Sequence, residues 1–294
     1  MERSFDDIAL EFLDAKEAER YSPTTVSSYY SILKNVSHWI GGAQVVFGAI
    51  TARDIRAYLG AQSHLSDKTI YNHHICLSSL WTFAFEQGYA DEHVVRQVRP
   101  PKFIRRRIIP FSEDQCRRIL AAAKNARDRA IVITLLDTGI RASEMCNLTV
   151  GDWQPGALKV IGKGRKERVV PISEPTEEAI QKQLTSRKVR LAGVDGGAAL
   201  FATVISGKKM TYTTLQSVMR RLEKYSSVRD IHCHRFRHTF AITYLRNEGD
   251  IYTLQKIMGH SSLETVKIYL DIVRSDVTAA HQRASPIVNW KIGQ

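Results

Sequence analysis

The sequence predicts a mostly α-helical protein of two domains, in which a helical bundle is followed by an α+β domain with a small β-hairpin sheet. The chain has 294 residues, of which 44% are hydrophobic and 24% charged, which suits two domains of ordinary size. Apolar residues recur with helical spacing along most of the chain. One pair of β-branched runs flanks a glycine-rich turn, which predicts the hairpin.

The net charge of +12 is unevenly distributed. Residues 1–98 hold 8 basic and 12 acidic side chains, a net charge of −4, whereas residues 99–294 hold 34 and 18, a net charge of +16. A strongly basic half favours a polyanionic partner such as nucleic acid. A basic face that is merely solvated is the alternative that charge alone leaves open.

Membrane insertion and secretion are not indicated. No apolar run approaches the roughly 18 residues of a membrane span, and the N-terminus lacks the layout of a signal peptide. We therefore expect a cytoplasmic protein without membrane contact. The four cysteines form no CxxC pair, so neither a disulfide framework nor a zinc ribbon is indicated, and reduced core thiols are expected.

Four amphipathic helices are predicted in residues 1–98. Ser4 and Asp7 can form a capping box, and Pro23 suits the first turn of a helix. The helices are predicted to begin near Ser4, Ser22, Thr51 and Ser66, and the last three to end near Gly41, Gly60 and Gly88.

Residues 99–109 predict an exposed basic linker, because prolines interrupt any helix there and like charges repel. Such a linker is either a solvated tether or a segment that lies along phosphates. A helix that begins at Ser112 and a buried helix over 129–138 that ends at Gly139 follow it. The hairpin pairs 158–161 with 168–172, and further helices are predicted at about 175–191, 211–225, 236–248, 251–258 and 262–271.

Four short segments of the second domain carry residues suited to phosphodiester chemistry. Two guanidiniums, Arg141 and Arg237, could clamp the non-bridging oxygens of a phosphate, with Glu144 holding the first of them. The hydroxyl of Tyr269 could attack phosphorus and store the bond as a phosphotyrosine ester. The remaining candidates are Lys163, which could protonate the leaving 5′ oxygen, and His234 and His260, which could donate hydrogen bonds or act as acid and base. Neither a metal ion nor another cofactor is required.

Each of these residues also has an ordinary structural interpretation. Arg141 could simply pair with a neighbouring carboxylate, Lys163 could be a solvated turn lysine, and Tyr269 could be a packing residue. His234 and His238 have the i, i+4 spacing of a metal pair, but the Glu of an HExxH motif is missing.

The order and spacing of the set are similar to those of the tyrosine recombinase (phage integrase) family, in its short Xer-like form. That family has an Arg in a TGxRxSE box, a Lys in a hairpin GKG, an HxxR pair, a GH pair and a Tyr nine residues later. Residues 138–144, 162–164, 234–237, 259–260 and 269 fill this pattern in order, and the resemblance covers about residues 110–275. The N-terminal bundle resembles the family's SAM-like core-binding domain by its helical pattern alone.

The resemblance implies a domain organisation and a reaction. Residues 1–98 would be the core-binding domain, 110–275 the catalytic domain, and 276–294 a tail that a protomer hands to its neighbour. No arm-binding domain is expected. The enzyme would act on double-stranded DNA with short inverted-repeat core sites, as a homo-tetramer or with a heterologous partner recombinase. Strands would be exchanged through a 3′-phosphotyrosine intermediate and a Holliday junction, to integrate or excise a mobile element or to resolve replicon dimers.

The expected DNA contacts are basic residues of the linker and the catalytic domain: Lys102, Arg105, Arg106, Arg107, Arg165, Lys166, Lys208, Lys209 and Arg235. In the acidic bundle, DNA contacts would depend on a local basic and polar stripe formed by Lys34, Arg53, Arg56, Lys68 and the His73-His74 pair.

Three other functions compete with recombination. A type IB topoisomerase would be expected to depart from the GH-x8-Tyr box, which is intact here. A non-catalytic DNA-binding regulator of the same fold would be expected to lack the nucleophile or an arginine, and none is missing. A metal-dependent nuclease would need clustered carboxylates, whereas these segments are rich in Arg, Lys and His.

Overall fold

The computed structural model describes residues 3–41, 44–103, 108–187, 196–203, 208–259, 263–273, 281–282 and 284–292, with the backbone alone at 163, 265 and 271–273. The chain divides into two compact units, Met1–Arg106 and Arg107–Gln294. Each unit has its own hydrophobic core.

The first unit is a four-helix bundle, as the helical periodicity predicts. Its helices are α1 (Phe5–Ala18), α2 (Pro23–Ile40), α3 (Ala52–Ala61) and α4 (Asp67–Glu86). The capping box of α1 is present, since Asp7 donates its backbone N–H to Ser4 Oγ at 3.1 Å and accepts from the Ser4 backbone at 3.2 Å. Aromatic rings of Phe5, Phe47 and Trp81 pack in the bundle's core.

Two histidines of the bundle are buried, against expectation. His73 is 4% exposed and its Nδ1 lies 2.9 Å from the hydroxyl of Tyr58, while His74 is 7% exposed and its Nε2 lies 2.9 Å from the carbonyl of Val98. The proposal that this pair contacts DNA is therefore wrong. Each ring has one hydrogen-bond partner inside the bundle, because α4 turns both rings inward.

The second unit packs helices around a small sheet. Its first helices are α5 (Glu113–Ala122), α6 (Ala126–Thr138) and α7 (Ala142–Asn147), followed by strands β1 (Trp153–Gln154), β2 (Ala157–Ile161) and β3 (Glu167–Pro171). The later helices are α8 (Glu174–Ser186), α9 (Tyr212–Ser226), α10 (Cys233–Arg246), α11 (Ile251–Met258), α12 (Glu264–Val273) and α13 (Pro286–Asn289).

The central helix α6 is buried as predicted and packs against α8 and α10. It ends at Gly139, which adopts the left-handed conformation with φ of 59°. The predicted hairpin is confirmed, with Leu158 opposite Val170 and Val160 opposite Arg168. The short strand β1 adds to it in the antiparallel order β1-β2-β3, which two residues are too few to signal in a sequence.

Helix α10 begins three residues earlier than predicted. It starts at Cys233 because the side chain of His232 accepts a hydrogen bond from the backbone N–H of Arg235 at 3.2 Å. Histidine is not one of the usual capping residues, so the local sequence does not predict this start. The first turns of α10 therefore include both His234 and Arg237.

None of the helices described here is long and apolar enough to cross a membrane. The four cysteines are free thiols, and Cys76, Cys146 and Cys233 are buried, as expected of core residues.

Candidate active site

Arg141 lies directly before α7, as its capping residue, three residues after the end of α6 at Thr138. Its backbone N–H donates to Glu144 Oε2 at 2.8 Å, its Nη1 donates to Glu144 Oε1 at 2.9 Å, and its Nη2 donates to the carbonyl of Gly259 at 3.3 Å. The side chain remains 36% exposed. The guanidinium is thus held on one side by the Glu144 carboxylate, and its other side is exposed and could bind a ligand.

Arg237 reaches the same place from α10. It is 2% exposed, and it donates to the carbonyl of Gly139 at 2.7 Å and to the carbonyl of Met258 at 2.8 Å. Burial, and then the positive charge of Arg141, lower the pKa of Arg237 to about 10, so it stays charged at neutral pH. Because Met258 and Gly259 are adjacent, the two guanidiniums are anchored on consecutive carbonyls.

Glu144 is the carboxylate that organises this region. It is 4% exposed, and it accepts hydrogen bonds from Arg141 and also from Arg168 of β3. Burial opposes its ionisation, but the hydrogen bonds from Arg168 and from the Arg141 backbone outweigh burial and lower the pKa of Glu144 to about 2. The group is therefore a carboxylate at neutral pH.

Tyr269 of α12 is buried beside α10. It is 2% exposed, and its hydroxyl lies 2.9 Å from His238 Nδ1. Burial raises the pKa of the Tyr269 phenol, whereas the charges of Arg237 and Arg141 lower it. Burial is the larger effect, so the pKa of the phenol stays above its ordinary value and the two arginine charges offset only part of the rise.

His238 is a residue of this site that the sequence argument did not assign to the chemistry. It contacts Tyr269, and its ring packs edge-on against that of His234, with centroids 4.2 Å apart. Burial, and then the charges of His234, His232 and Arg237, lower the pKa of His238 to about 4. The i, i+4 spacing from His234 placed the two rings together, but the tyrosine partner, 31 residues away, had no local signal.

The remaining candidates are described in part. Lys163 lies in the turn between β2 and β3, and its side chain is outside the described part of the structure. His260 lies outside the described residues, directly after Gly259. Partial burial, and then the charge of Arg237, lower the pKa of His234, which keeps an exposed face. Among the described residues, no group of three or more His, Cys, Asp or Glu side chains could hold a metal ion.

Models of two protein-domain families match the two units of this chain. The phage integrase family model matches residues 110–275, and the phage integrase SAM-like domain model matches residues 4–99. This chain belongs to the phage integrase family. The resemblance of its motifs to those of the tyrosine recombinases is thereby confirmed, and so are the mostly helical fold and the class of its reaction, site-specific DNA recombination.

Relatives within the phage integrase family cover most of the chain. The tyrosine recombinase XerC of Mycobacterium sp. (strain KMS) is 31% identical over 255 residues, which cover 81% of this chain and 84% of the relative. The tyrosine recombinase XerD of Shewanella oneidensis is 28% identical over 287 residues, covering 93% and 94%.

Solved structures of the family share the fold. The crystal structure of XerA recombinase is 26% identical, covers 96% of this chain and 99% of its own, and has a TM-score of 0.53. A lambda integrase dimer bound to a COC' core site is 20% identical, with a TM-score of 0.75 over 92% of this chain and 78% of its own.

The basic residues expected to bind DNA differ in their surroundings. Those that are exposed and described are Lys102, Arg165, Lys166, Lys208 and Lys209, whereas Arg105, Arg106 and Arg107 lie outside the described residues. Arg235 is engaged within its own unit: it donates to the carbonyls of Ile109 and Arg229 and lies 4.1 Å above the ring of Phe111. These contacts favour a structural role for Arg235.

Proposed function

We propose that this chain is a site-specific DNA recombinase of the Xer type, in which Tyr269 attacks a phosphodiester held by Arg141 and Arg237. The observation that carries the proposal is the anchoring of the two guanidiniums on consecutive carbonyls, with their charges acting on the tyrosine phenol. Two fixed guanidiniums can bind the non-bridging oxygens of a phosphate and stabilise the charge that develops there.

In the cleavage step, the Tyr269 oxygen forms a bond to phosphorus as the bond to the 5′ oxygen breaks. The phosphate stays attached to the tyrosine at the 3′ end, and the 5′ oxygen leaves with a proton from Lys163. His234 or His260 would take up the proton that the Tyr269 hydroxyl loses, and the other would donate a hydrogen bond to the phosphate. Attack by a 5′-hydroxyl of the partner strand reverses the sequence and releases the tyrosine.

His238 is unsuited to accept the phenol proton. Its pKa is about 4, while that of Tyr269 lies above its ordinary value of 10. Proton transfer from the phenol to this imidazole is therefore unfavourable. His238 therefore lies within hydrogen-bond distance of the tyrosine hydroxyl without acting as its base.

The DNA partner and assembly follow from the family. Solved relatives include a lambda integrase tetramer bound to a Holliday junction and XerH bound to a palindromic difH substrate. For this chain the proposal is a tetramer on two duplexes with short inverted repeats, formed alone or with a second recombinase, acting in the cytoplasm at the nucleoid. It would integrate or excise a mobile element, or resolve replicon dimers. The exposed Ile287, Val288 and Trp290 around α13 suit a segment that docks on a neighbouring protomer.

The test is covalent capture. Sheared chromosomal DNA of the source organism is selected on the protein, and the recovered site is made as a nicked duplex that traps the cut strand. Wild-type protein should form an adduct resistant to detergent, also in the presence of a chelator. Tyr269→Phe should form none while binding the duplex, and the exposed Tyr225→Phe serves as the matched control.

The two arginines are tested on the same duplex. Arg141→Ala or Arg237→Ala should slow adduct formation by about 3 to 4 kcal/mol, as for loss of one transition-state donor. An adduct formed by the Tyr269→Phe protein would refute Tyr269 as the nucleophile. Near-normal cleavage by Arg141→Ala or Arg237→Ala would refute that arginine as a phosphate ligand. Relaxation of supercoiled plasmid without recombinant products would favour a topoisomerase.

A further inference from the structure

Arg168 connects three segments that carry the proposed catalytic residues. It lies in β3 and is only 12% exposed at its side chain. Its Nη1 and Nη2 donate to the two oxygens of Glu144, each at 2.9 Å, and its Nε donates to the carbonyl of Ile257 at 2.7 Å. A hairpin strand, the start of α7 and the end of α11 therefore meet at one guanidinium.

The carboxylate of Glu144 is shared between Arg168 and Arg141. One oxygen accepts from Arg168 Nη1 and Arg141 Nη1, and the other accepts from Arg168 Nη2 and the Arg141 backbone. Arg168 thus fixes the plane of the carboxylate that Arg141 uses as its anchor. A lysine could not do the same, because one ammonium lacks the planar fork that binds both oxygens at once.

Two glycines let the Arg168 guanidinium approach. A Cβ at Gly259 would lie 2.8 Å from Arg168 Nη1 and 2.9 Å from its Cζ, closer than side-chain atoms pack. A Cβ at Gly162, the residue before Lys163, would lie 3.3 Å from the same Nη1 and 3.5 Å from Glu144 Oε1. The backbone next to Lys163 and the carbonyl that anchors Arg141 therefore both pack against this one side chain.

We propose that Arg168 is a positioning residue of the recombination reaction. It orients Glu144, and through it Arg141, and it holds the end of α11 and the Lys163 turn against the same point. Arg168 does not contact the substrate. It fixes the positions of the groups that do. The inference rests on the proposed function of Arg141 as a phosphate ligand.

The test compares Arg168→Lys and Arg168→Ala with wild type on the nicked duplex. The matched control is Lys159→Ala, which removes an exposed cation of the same hairpin, one that pairs with Glu167. Both Arg168 variants should slow adduct formation between about tenfold and a hundredfold, as small misplacements of catalytic groups do, with little change in duplex affinity. Added guanidinium ion should restore part of the rate of Arg168→Ala.

A pH profile separates positioning from general loss of structure. The charged groups facing Glu144 are Arg141 on α7, Arg168 on β3 and Arg237 on α10. Without Arg168, Glu144 takes up a proton at higher pH, so the acid limb of the adduct-formation rate should move to higher pH. The Arg168→Lys protein, which keeps the charge and the stem, carries the test if Arg168→Ala unfolds.

The outcomes distinguish this inference from the proposed function. A wild-type protein that forms no adduct, or a Tyr269→Phe protein that forms one, refutes the proposed function. An active wild type with Arg168→Lys at the wild-type rate, or with Arg168→Ala slowed but its acid limb unmoved, refutes the positioning role of Arg168 alone.

Discussion

Replacement of Glu144 by glutamine is expected to destabilise the second unit by about 3 kcal/mol at neutral pH. The pKa of this buried carboxyl is lowered from an ordinary value of 4.5 to about 2. The two values differ by about 2.5, and each pKa unit corresponds to about 1.4 kcal/mol of preference for the ionised form in the folded state. Loss of one partner from a buried ion pair costs a similar amount, about 3 to 5 kcal/mol.

The sign of the pH dependence follows from proton uptake. The unfolded carboxyl binds a proton below about pH 4.5, while the folded one resists protonation until about pH 2. The stabilisation is therefore complete above the unfolded pKa and is lost as the pH falls through the folded pKa. About 2 kcal/mol of it disappears between roughly pH 6 and pH 3, so the difference between wild type and Glu144→Gln should shrink to about 1 kcal/mol.

Urea unfolding across this pH range measures the difference directly, because urea leaves ion pairs unscreened. Glu167→Gln is the control, since Glu167 lies on the same hairpin with its side chain 55% exposed. Its effect on the free energy of unfolding should stay below about 1 kcal/mol. A loss of stability in Glu144→Gln that is equally large at both ends of the pH range would refute the stabilisation of Glu144 as a carboxylate. A loss no larger than that of the control would refute it too.

Three further predictions concern other parts of the protein. His238→Phe should make the protein less sensitive to acid. Unfolded His238 takes up a proton below about pH 6.5 but the folded residue does so only near pH 4, so the wild-type protein loses stability between these two pH values. The variant should lose less, as measured by its free energy of unfolding in urea at both pH values. Gly139→Ala should cost about 2 to 5 kcal/mol of stability in thermal unfolding, because φ is +59° and a Cβ would overlap the ring of Phe240. The control, Gly156→Ala, should cost only about 1 to 2 kcal/mol, because φ is positive there too but no atom lies close to the added Cβ. Duplex affinity should fall linearly with salt on a log–log plot, by about 0.9 per phosphate contacted, and a salt-independent Kd would contradict phosphate binding.

The roles of two histidine pairs could not be told from the sequence, because they depend on burial and on hydrogen-bond partners. His73 and His74 lie in an acidic bundle and looked available for DNA, yet both are buried with hydrogen-bond partners of their own. His234 and His238 looked like half of a metal site, yet His238 bonds the proposed nucleophile. In each case the side-chain partner comes from a distant segment, which no local spacing rule can supply.

Local chemistry determined much of this protein from its sequence alone. Capping residues set the starts of α1 and α2, a positive φ at Gly139 ends α6, and a glycine-rich turn joins the hairpin strands. These signals act within about four residues, the reach of a helical turn or a tight turn, so a sequence displays them directly. The order of the catalytic motifs was readable for the same reason, and it was enough to identify the family.

Tertiary structure alone decided which groups hold the site together. Arg237 bonds the carbonyl of Gly139, 98 residues away, and Arg168 bonds Glu144, 24 residues away, although nothing in the local pattern pairs them. Such contacts depend on how helices and strands pack, and packing brings together residues whose separation along the chain carries no information. The sequence predicts Arg141 as a phosphate ligand, and the fold adds Arg168, which shares the carboxylate of Glu144 with it.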